Sequence, residues 1–358
     1  MNCSAASPVC DLASHDCRNC VKDSECDSGA CDLAVGACVD PSAIRYASPS
    51  GTPADPCARL LPCSLDKASS SVDAGHPYIV LLPGIHTASA SFDAQKATIC
   101  GNNATIDTNV ALLRASRGSS VNVRDLKLIG GNVPDYTVIN NDSSEILLDG
   151  VTIDLSSGGV YAIDSNSSSS TFVRKSKIVH GFMRINGTLT IDESFLLDSS
   201  IGLIQNKNIS SITNSVFVSS YEIISIEELS DSDSSGGAWI ASNTFVGGSI
   251  SCGTGMAASK TKYFESNILF NTVVGETMPV CHYNFNLLVP ARSLGGMGNI
   301  TGDPKFMNGA SNDFHLRVGS SAIDAANPAP LTSNTHDYDG KPRSQGGRSD
   351  IGAFEYHP

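Results

Sequence analysis

Four side chains that could do chemistry crowd a short central stretch: Lys175, Lys177, His180 and Arg184, with Arg174 just ahead of them. The chain as a whole is acidic, with 23 Lys and Arg against 36 Asp and Glu and a formal net charge of −13, so this patch stands out. Elimination chemistry on a uronate needs a base for the ring proton and positive charge beside the carboxylate. Lys175, Lys177, His180 and Arg184 are the candidate base and clamp for such a reaction on an acidic glycan. A second constellation is Asp231, Asp233 and Ser235 before Gly236, whose D-x-D-x-S-G spacing brings oxygens around a Ca²⁺ ion. It lacks the acidic residue at position twelve, which is Ser242. Calcium is the only cofactor these patterns suggest. Trp239, the single tryptophan, follows that loop and is a candidate ligand contact or a packing residue. No nucleophile triad, phosphate loop, dinucleotide fingerprint or H-E-x-x-H motif is present.

The elements that must position these groups follow from a repeat. From Ile99 onward, apolar residues recur at Val123, Leu148, Val173, Ile191, Ile212, Ile240 and Phe264. Five residues after each, from the second repeat, stand Leu128, Ile153, Ile178, Leu196, Phe217, Phe245 and Leu269, all apolar. Three residues after the first position, the last five repeats carry Ser176, Ser194, Ser215, Asn243 and Asn267. Such spacing is a coil repeat: one coil cannot bury its inner face alone, but stacking gives a continuous core and parallel sheets. Ser and Asn at a turn can then bond the same group one coil along, and Gly and Asn tolerate the left-handed backbone such turns need. A helical solenoid would need apolar residues at i, i+3, i+4 and i+7 over longer stretches than these. The residues just after the first apolar position (Arg124, Asp149, Arg174 and Asp192) alternate in sign, so a cross-strand salt ladder competes with the basic-patch reading and is preferred for Arg174.

Composition excludes other classes. Hydrophobic residues make up 41% and charged residues 16%, enough for a core but poor in the residues of a helical bundle. The acidity argues against nucleic acid. No run is long and apolar enough to span a membrane. Of twelve cysteines, Cys3, Cys10, Cys17, Cys20, Cys26, Cys31 and Cys38 fall in the first 38 residues, with Cys57 and Cys63 close behind. A segment this polar needs cross-links, so these nine are expected in disulfides of open pairing and the protein in an oxidising compartment. Zinc at Cys17-x-x-Cys20 is the disfavoured rival, since the later spacings do not repeat the pair. The chain opens without an apolar leader, which reads as a mature or trimmed form. Cys3 is read as bridged to Cys10 or another neighbour, or else as a lipid-attachment cysteine.

Three stretches carry a resemblance. Tyr46-Ala-Ser-Pro-Ser-Gly51 with Pro56-Cys57, Pro62-Cys63 and Ile79-Val-Leu-Leu-Pro-Gly84 looks like the start of extracellular β-helices, and Thr98 to Ile106 like their first full coil. Gly302-Asp-Pro-Lys-Phe306, Asp313-Phe-His-Leu316, Ser321 to Ala325, Asp337 to Arg343 and Asp350-Ile-Gly-Ala-Phe-Glu355 are similar to the C-terminal segment of choice-of-anchor proteins. Ala322 and Ala326 depart from that pattern, which usually has Pro and Gly there. The cysteine-rich start looks like short modules on myxobacterial surface proteins. The chain thus resembles the secreted bacterial, right-handed, pectate-lyase-like parallel β-helix superfamily.

That resemblance implies an all-β, right-handed single-stranded parallel β-helix over residues 42–300, a disulfide module at 1–41, and a segment at 301–358 that closes the last coil. Asp337, Arg343, Asp350 and Glu355 are expected to form an ion-pair knot in that segment. Hydrolases of the superfamily use Asn-Thr-Asp, Asp-Asp and Gly-His-Gly; Val179-His180-Gly181-Phe182 is the nearest approach and lacks the acidic partners. The preferred reading is a secreted or cell-surface protein for adhesion, matrix or glycan contact, without catalysis. A polysaccharide lyase acting on an acidic glycan and a structural subunit of a surface assembly are the alternatives.

Overall fold

The structure, a computed structural model, describes the chain except residues 1–2, 4–6, 11–15, 109–111, 131–136, 156–160, 205–208, 228–236, 253–261, 276–280, 331–333 and 345. It is a parallel β-solenoid. An eleven-stranded sheet runs from Ile44–Ala47 at one end to Cys281–Asn284 at the other, and faces an eighteen-stranded sheet that holds the remaining coil strands.

Every position of the apolar repeat stacks in register. Val123 lies between Ile99 and Leu148, and the column continues through Val173, Ile191, Ile212, Ile240 and Phe264 to Tyr283. The second column runs from Ile106 through Leu128, Ile153, Ile178, Leu196, Phe217, Phe245 and Leu269 to Leu288. These side chains form one buried cluster along the axis. Where the column turns aromatic, rings stack: Phe217 on Phe245 at 4.8 Å and Phe264 on Tyr283 at 4.7 Å between centroids.

Each coil makes its first bend after the eleven-stranded sheet. Here a residue with positive φ recurs: Asp125, Gly150, Lys175, Glu193, Asn214, Ser242, Ser266 and Phe285. The next residue supplies a rung of a polar ladder. Ser176, Ser194 and Ser215, then Asn243, Asn267, Asn286 and Asn299, each accept the backbone N–H of the corresponding residue one coil earlier at 2.9 to 3.2 Å. The asparagines also donate to backbone carbonyls, as Asn267 does to Ile240 at 2.8 Å. A buried turn would otherwise strand these N–H groups.

The start of the solenoid is plugged by Leu65, Ala68 and Val72, in and just after the short helix Leu65–Ser70, and by the Cys57–Cys63 bridge. The cysteine module lies on the outer face of the first strands, where Ala30 packs with Tyr46, Val80 and Cys100. Arg124 reaches into that module, donating to the Asp23 carboxylate at 3.3 Å and the Cys31 carbonyl at 3.0 Å. It therefore leaves the expected ladder, in which only Asp149 and Arg174 pair, at 2.5 Å. The bridges are Cys3–Cys17, Cys20–Cys31 and Cys26–Cys38, with Cys57–Cys63 and Cys252–Cys281 in the solenoid. Cys10 corrects the expectation: it carries no bridge, because its strand neighbour Cys17 is taken by Cys3.

The segment after residue 301 packs along the side of the solenoid. It forms a hairpin, Phe306–Asn308 with Asp313–Leu316, and then runs back along the first bend. Gly352 donates to Ser266, Ala353 to Thr244, Arg343 to Asn214, and the His336 ring reaches Asp192. The strap thus covers the bend over several coils. The knot is real and buried: Arg343 and Glu355 lie 3.6 Å apart with side chains 2% and 1% exposed. Burial pulls the Arg343 guanidinium down from its usual range, against the raising effect of Glu355 and the neighbouring aspartates. Asp337 instead ties its own loop, accepting from the N–H groups of Asp339, Lys341 and Glu355.

Candidate functional site

The four basic candidates are strung around one coil rather than gathered. Lys175 sits in the first bend, its ammonium 3.4 Å from Glu193. Lys177 points outward from the next strand and rests over the Phe195 ring at 5.8 Å. Arg184 is bidentate on Asp164, at 2.5 and 2.9 Å, and lies 4.6 Å over the Tyr161 ring. The Asp164 hydrogen bond raises the Arg184 pKa against the opposing effect of burial, so this cation is held by its partner. His180 lines a cleft at the second bend, where the chain turns between the strands Lys177–Val179 and Phe182–Ile185, with Asp154 4.0 Å away. Asp231, Asp233 and Ser235 lie outside the described residues. Trp239 stands half-buried on the outer face of the eleven-stranded sheet, in register with Ser211 and Tyr263.

The cleft at the second bend encloses about 390 Å³. His180, Phe182, Asp198, Ser200, Tyr221 and Glu222 line it. Tyr221 is its most prominent side chain, 73% exposed. A local insertion places it there. The strand Val216–Glu227 pairs with Thr244–Cys252, but the register shifts between Ser219 and Glu222 and again before Ile224. The bulge throws Tyr221 out of the ladder, and its N–H finds the Ser219 hydroxyl at 3.0 Å. The facing strand accommodates the bulge with Gly247 and Gly248 at φ of 71° and 57°. A Cβ on Gly247 would fall 2.5 Å from the Ser219 carbonyl oxygen, and one on Gly248 2.3 Å from that of Tyr221.

Glu222 accepts a hydrogen bond from Ser251 and so is fixed beside the tyrosine. Phe182 is braced against Tyr161, with ring centroids 5.3 Å apart. At the cleft floor, Ser199 accepts from the Gly181 N–H at 3.1 Å and donates to the Ile178 carbonyl at 3.2 Å. The arrangement is an open aromatic shelf with hydroxyl and carboxylate groups at its edge, suited to stacking on a sugar face while accepting hydrogen bonds from its hydroxyls. The sequence reading named His180 but missed Tyr221. The available signal was the extra residue at Ser219-Ser220-Tyr221-Glu222 and the Gly247-Gly248 pair one coil later.

No family model matches the chain, and no curated protein matches it. Among solved structures, it is similar to a crystal structure of the pectate lyase Pel9A, at 15% identity and a TM-score of 0.42, covering 88% of this chain and 96% of that one. So distant a likeness bears no functional conclusion.

Proposed function

We propose that the protein is a secreted or cell-surface β-solenoid that holds a neutral glycan at its second bend without cleaving it. The observation that carries this reading is the bulge that presents Tyr221 beside Phe182, His180 and Glu222. Stacking on an aromatic face rewards the apolar side of a sugar ring, and carboxylates accept its hydroxyls. A polyuronide suits the cleft poorly, because Asp198 and Glu222 line it and the whole chain carries −13. Of the cations that a lyase would need as base and clamp, Lys175 is paired with Glu193 and Arg184 with Asp164. Five disulfides support an oxidising, extracellular setting, in which the cysteine module and the strap would serve as the surface-protein segments their resemblance implies.

Affinity electrophoresis in gels cast with neutral and acidic polysaccharides tests the binding, and ultraviolet detection of unsaturated uronates with and without Ca²⁺ tests for cleavage. Retardation by at least one neutral polysaccharide, with no unsaturated product from any polyuronide, is expected. Turnover that disappears in Lys177→Ala or His180→Ala would establish the lyase alternative instead.

A further inference from the structure

At the first bend, under the strap, two carboxylates from one coil meet an imidazole from the C-terminal segment. Asp192 and Glu193 end the strand Thr188–Asp192 and enter the turn; His336 arrives from far along the chain. The His336 Nε2 atom lies 3.3 Å from Asp192 Oδ2 and 3.1 Å from Glu193 Oε1. All three ligand atoms fall within 4.8 Å of one another. We propose that Asp192, Glu193 and His336 bind a divalent transition-metal cation of the zinc class, which clasps the strap to the coil.

The argument begins with hydrogen count. Both carboxylates approach the same ring nitrogen, and Nε2 carries at most one hydrogen. One N–H cannot serve two oxygens well, whereas a cation at the centre serves all three atoms. Tetrahedral zinc with bonds of about 2.0 Å places its ligands about 3.3 Å apart, close to the two separations from His336 Nε2. The Glu193 side chain is 95% buried by its 5% exposure, and its Oε2 atom has no hydrogen-bond partner. Among the described residues, the Lys175 ammonium approaches that oxygen, at 3.4 Å, from a side chain that is 59% exposed.

A second shell fixes the ligands. The other oxygen of Asp192 accepts from Thr213 Oγ1 and Asn214 Nδ2, each at 2.9 Å, which leaves Oδ2 for the site. Asn214 is held in turn by Arg343, at 2.8 Å, and Arg343 also donates to the His336 carbonyl at 3.0 Å. Thr335 Oγ1 lies 3.4 Å from the other ring nitrogen of His336. Such outer partners orient ligating carboxylates and imidazoles in metal sites. With one imidazole and two carboxylates the donor set suits zinc, cobalt or nickel better than calcium, which takes six to eight oxygens. The His336 side chain is 39% exposed, so a water can reach a fourth position.

The test is calorimetric titration of chelator-treated, dialysed full-length protein with Zn²⁺, and separately the visible spectrum with Co²⁺. One saturable equivalent of Zn²⁺ and the intense bands of tetrahedral cobalt are expected. His336→Ala should lose saturable binding. Thr213→Val, which removes only the hydrogen bond to the Asp192 oxygen that faces away from the site, should weaken it about tenfold. His315→Ala, in the strap but away from the site, should bind as wild type. No saturable binding up to millimolar Zn²⁺, a six-coordinate cobalt spectrum, or unchanged affinity in His336→Ala would each overturn the proposal. The cobalt spectrum decides the matter on wild-type protein even if a variant fails to fold.

Discussion

The two bends of each coil are built alike and finished differently. Both use left-handed residues and a hydroxyl or amide ladder. The first bend is roofed by the strap, and the outward column beside it changes character to match. That column reads Lys127, Thr152 and Lys177 where it is bare, then Phe195, Val216, Thr244, Ile268 and Leu287 where the strap lies on it. The second bend has no such roof among the described residues, and there a bulge spends an extra residue on exposing an aromatic ring. A solenoid gives its sequence a uniform core and leaves its corners to differ. Burial at one corner stabilises the fold, and exposure at the other offers a contact surface.

The comparison breaks most visibly in the core. Phe217→Asp places an unpaired charge between Leu196 and Phe245, and should cost upwards of about 4 kcal/mol and abolish soluble folded protein. A cooperative thermal transition near that of wild type would contradict the stacked core. At the covered corner, Asn267→Ala orphans the Asn243 N–H and the Ile240 carbonyl. It should cost about 2 to 3 kcal/mol in denaturant unfolding, and an effect under 0.5 kcal/mol would mean that the ladder is incidental. Asp149→Ser breaks only the exposed pair with Arg174 and should cost at most about 1 kcal/mol.

A smaller effect concerns pH at the strap hairpin. Burial pulls the His315 imidazole down, but hydrogen bonds to Asp339 and Asp313, at 3.0 and 2.6 Å, outweigh it and raise its pKa above 6.5. Lys341 also sits on Asp339. A raised histidine favours the folded strap fully below pH 6.5, and that contribution fades as pH rises through the folded-state value. Ring-proton NMR should show His315 titrating above 6.5 in wild type and closer to it in Asp339→Asn. Identical midpoints would remove Asp339 from the account.

The architecture was legible in the sequence because stacking imposes like residues at fixed offsets. Ile99 through Phe264 and Leu128 through Leu269 needed only to be counted, and the ladder from Ser176 to Asn267 came with them. The path of the strap was not legible, although the apolar switch at Phe195 accompanies it, because a run of apolar outward positions does not say which segment covers them. The candidate site was less legible still. Lys175, Lys177, His180 and Arg184 are neighbours in sequence, but successive residues on a coil face different directions. Tyr221 and His180 meet only because adjacent coils stack, and the bulge that brings them together interrupts the very repeat that revealed the fold.

The claim that the open corner is the working surface is tested most directly by Tyr221→Ala, measured for glycan retardation and thermal midpoint together. The account predicts lost or strongly reduced retardation at an essentially unchanged midpoint, since Tyr221 is 73% exposed. Full glycan binding by a folded Tyr221→Ala protein would contradict it.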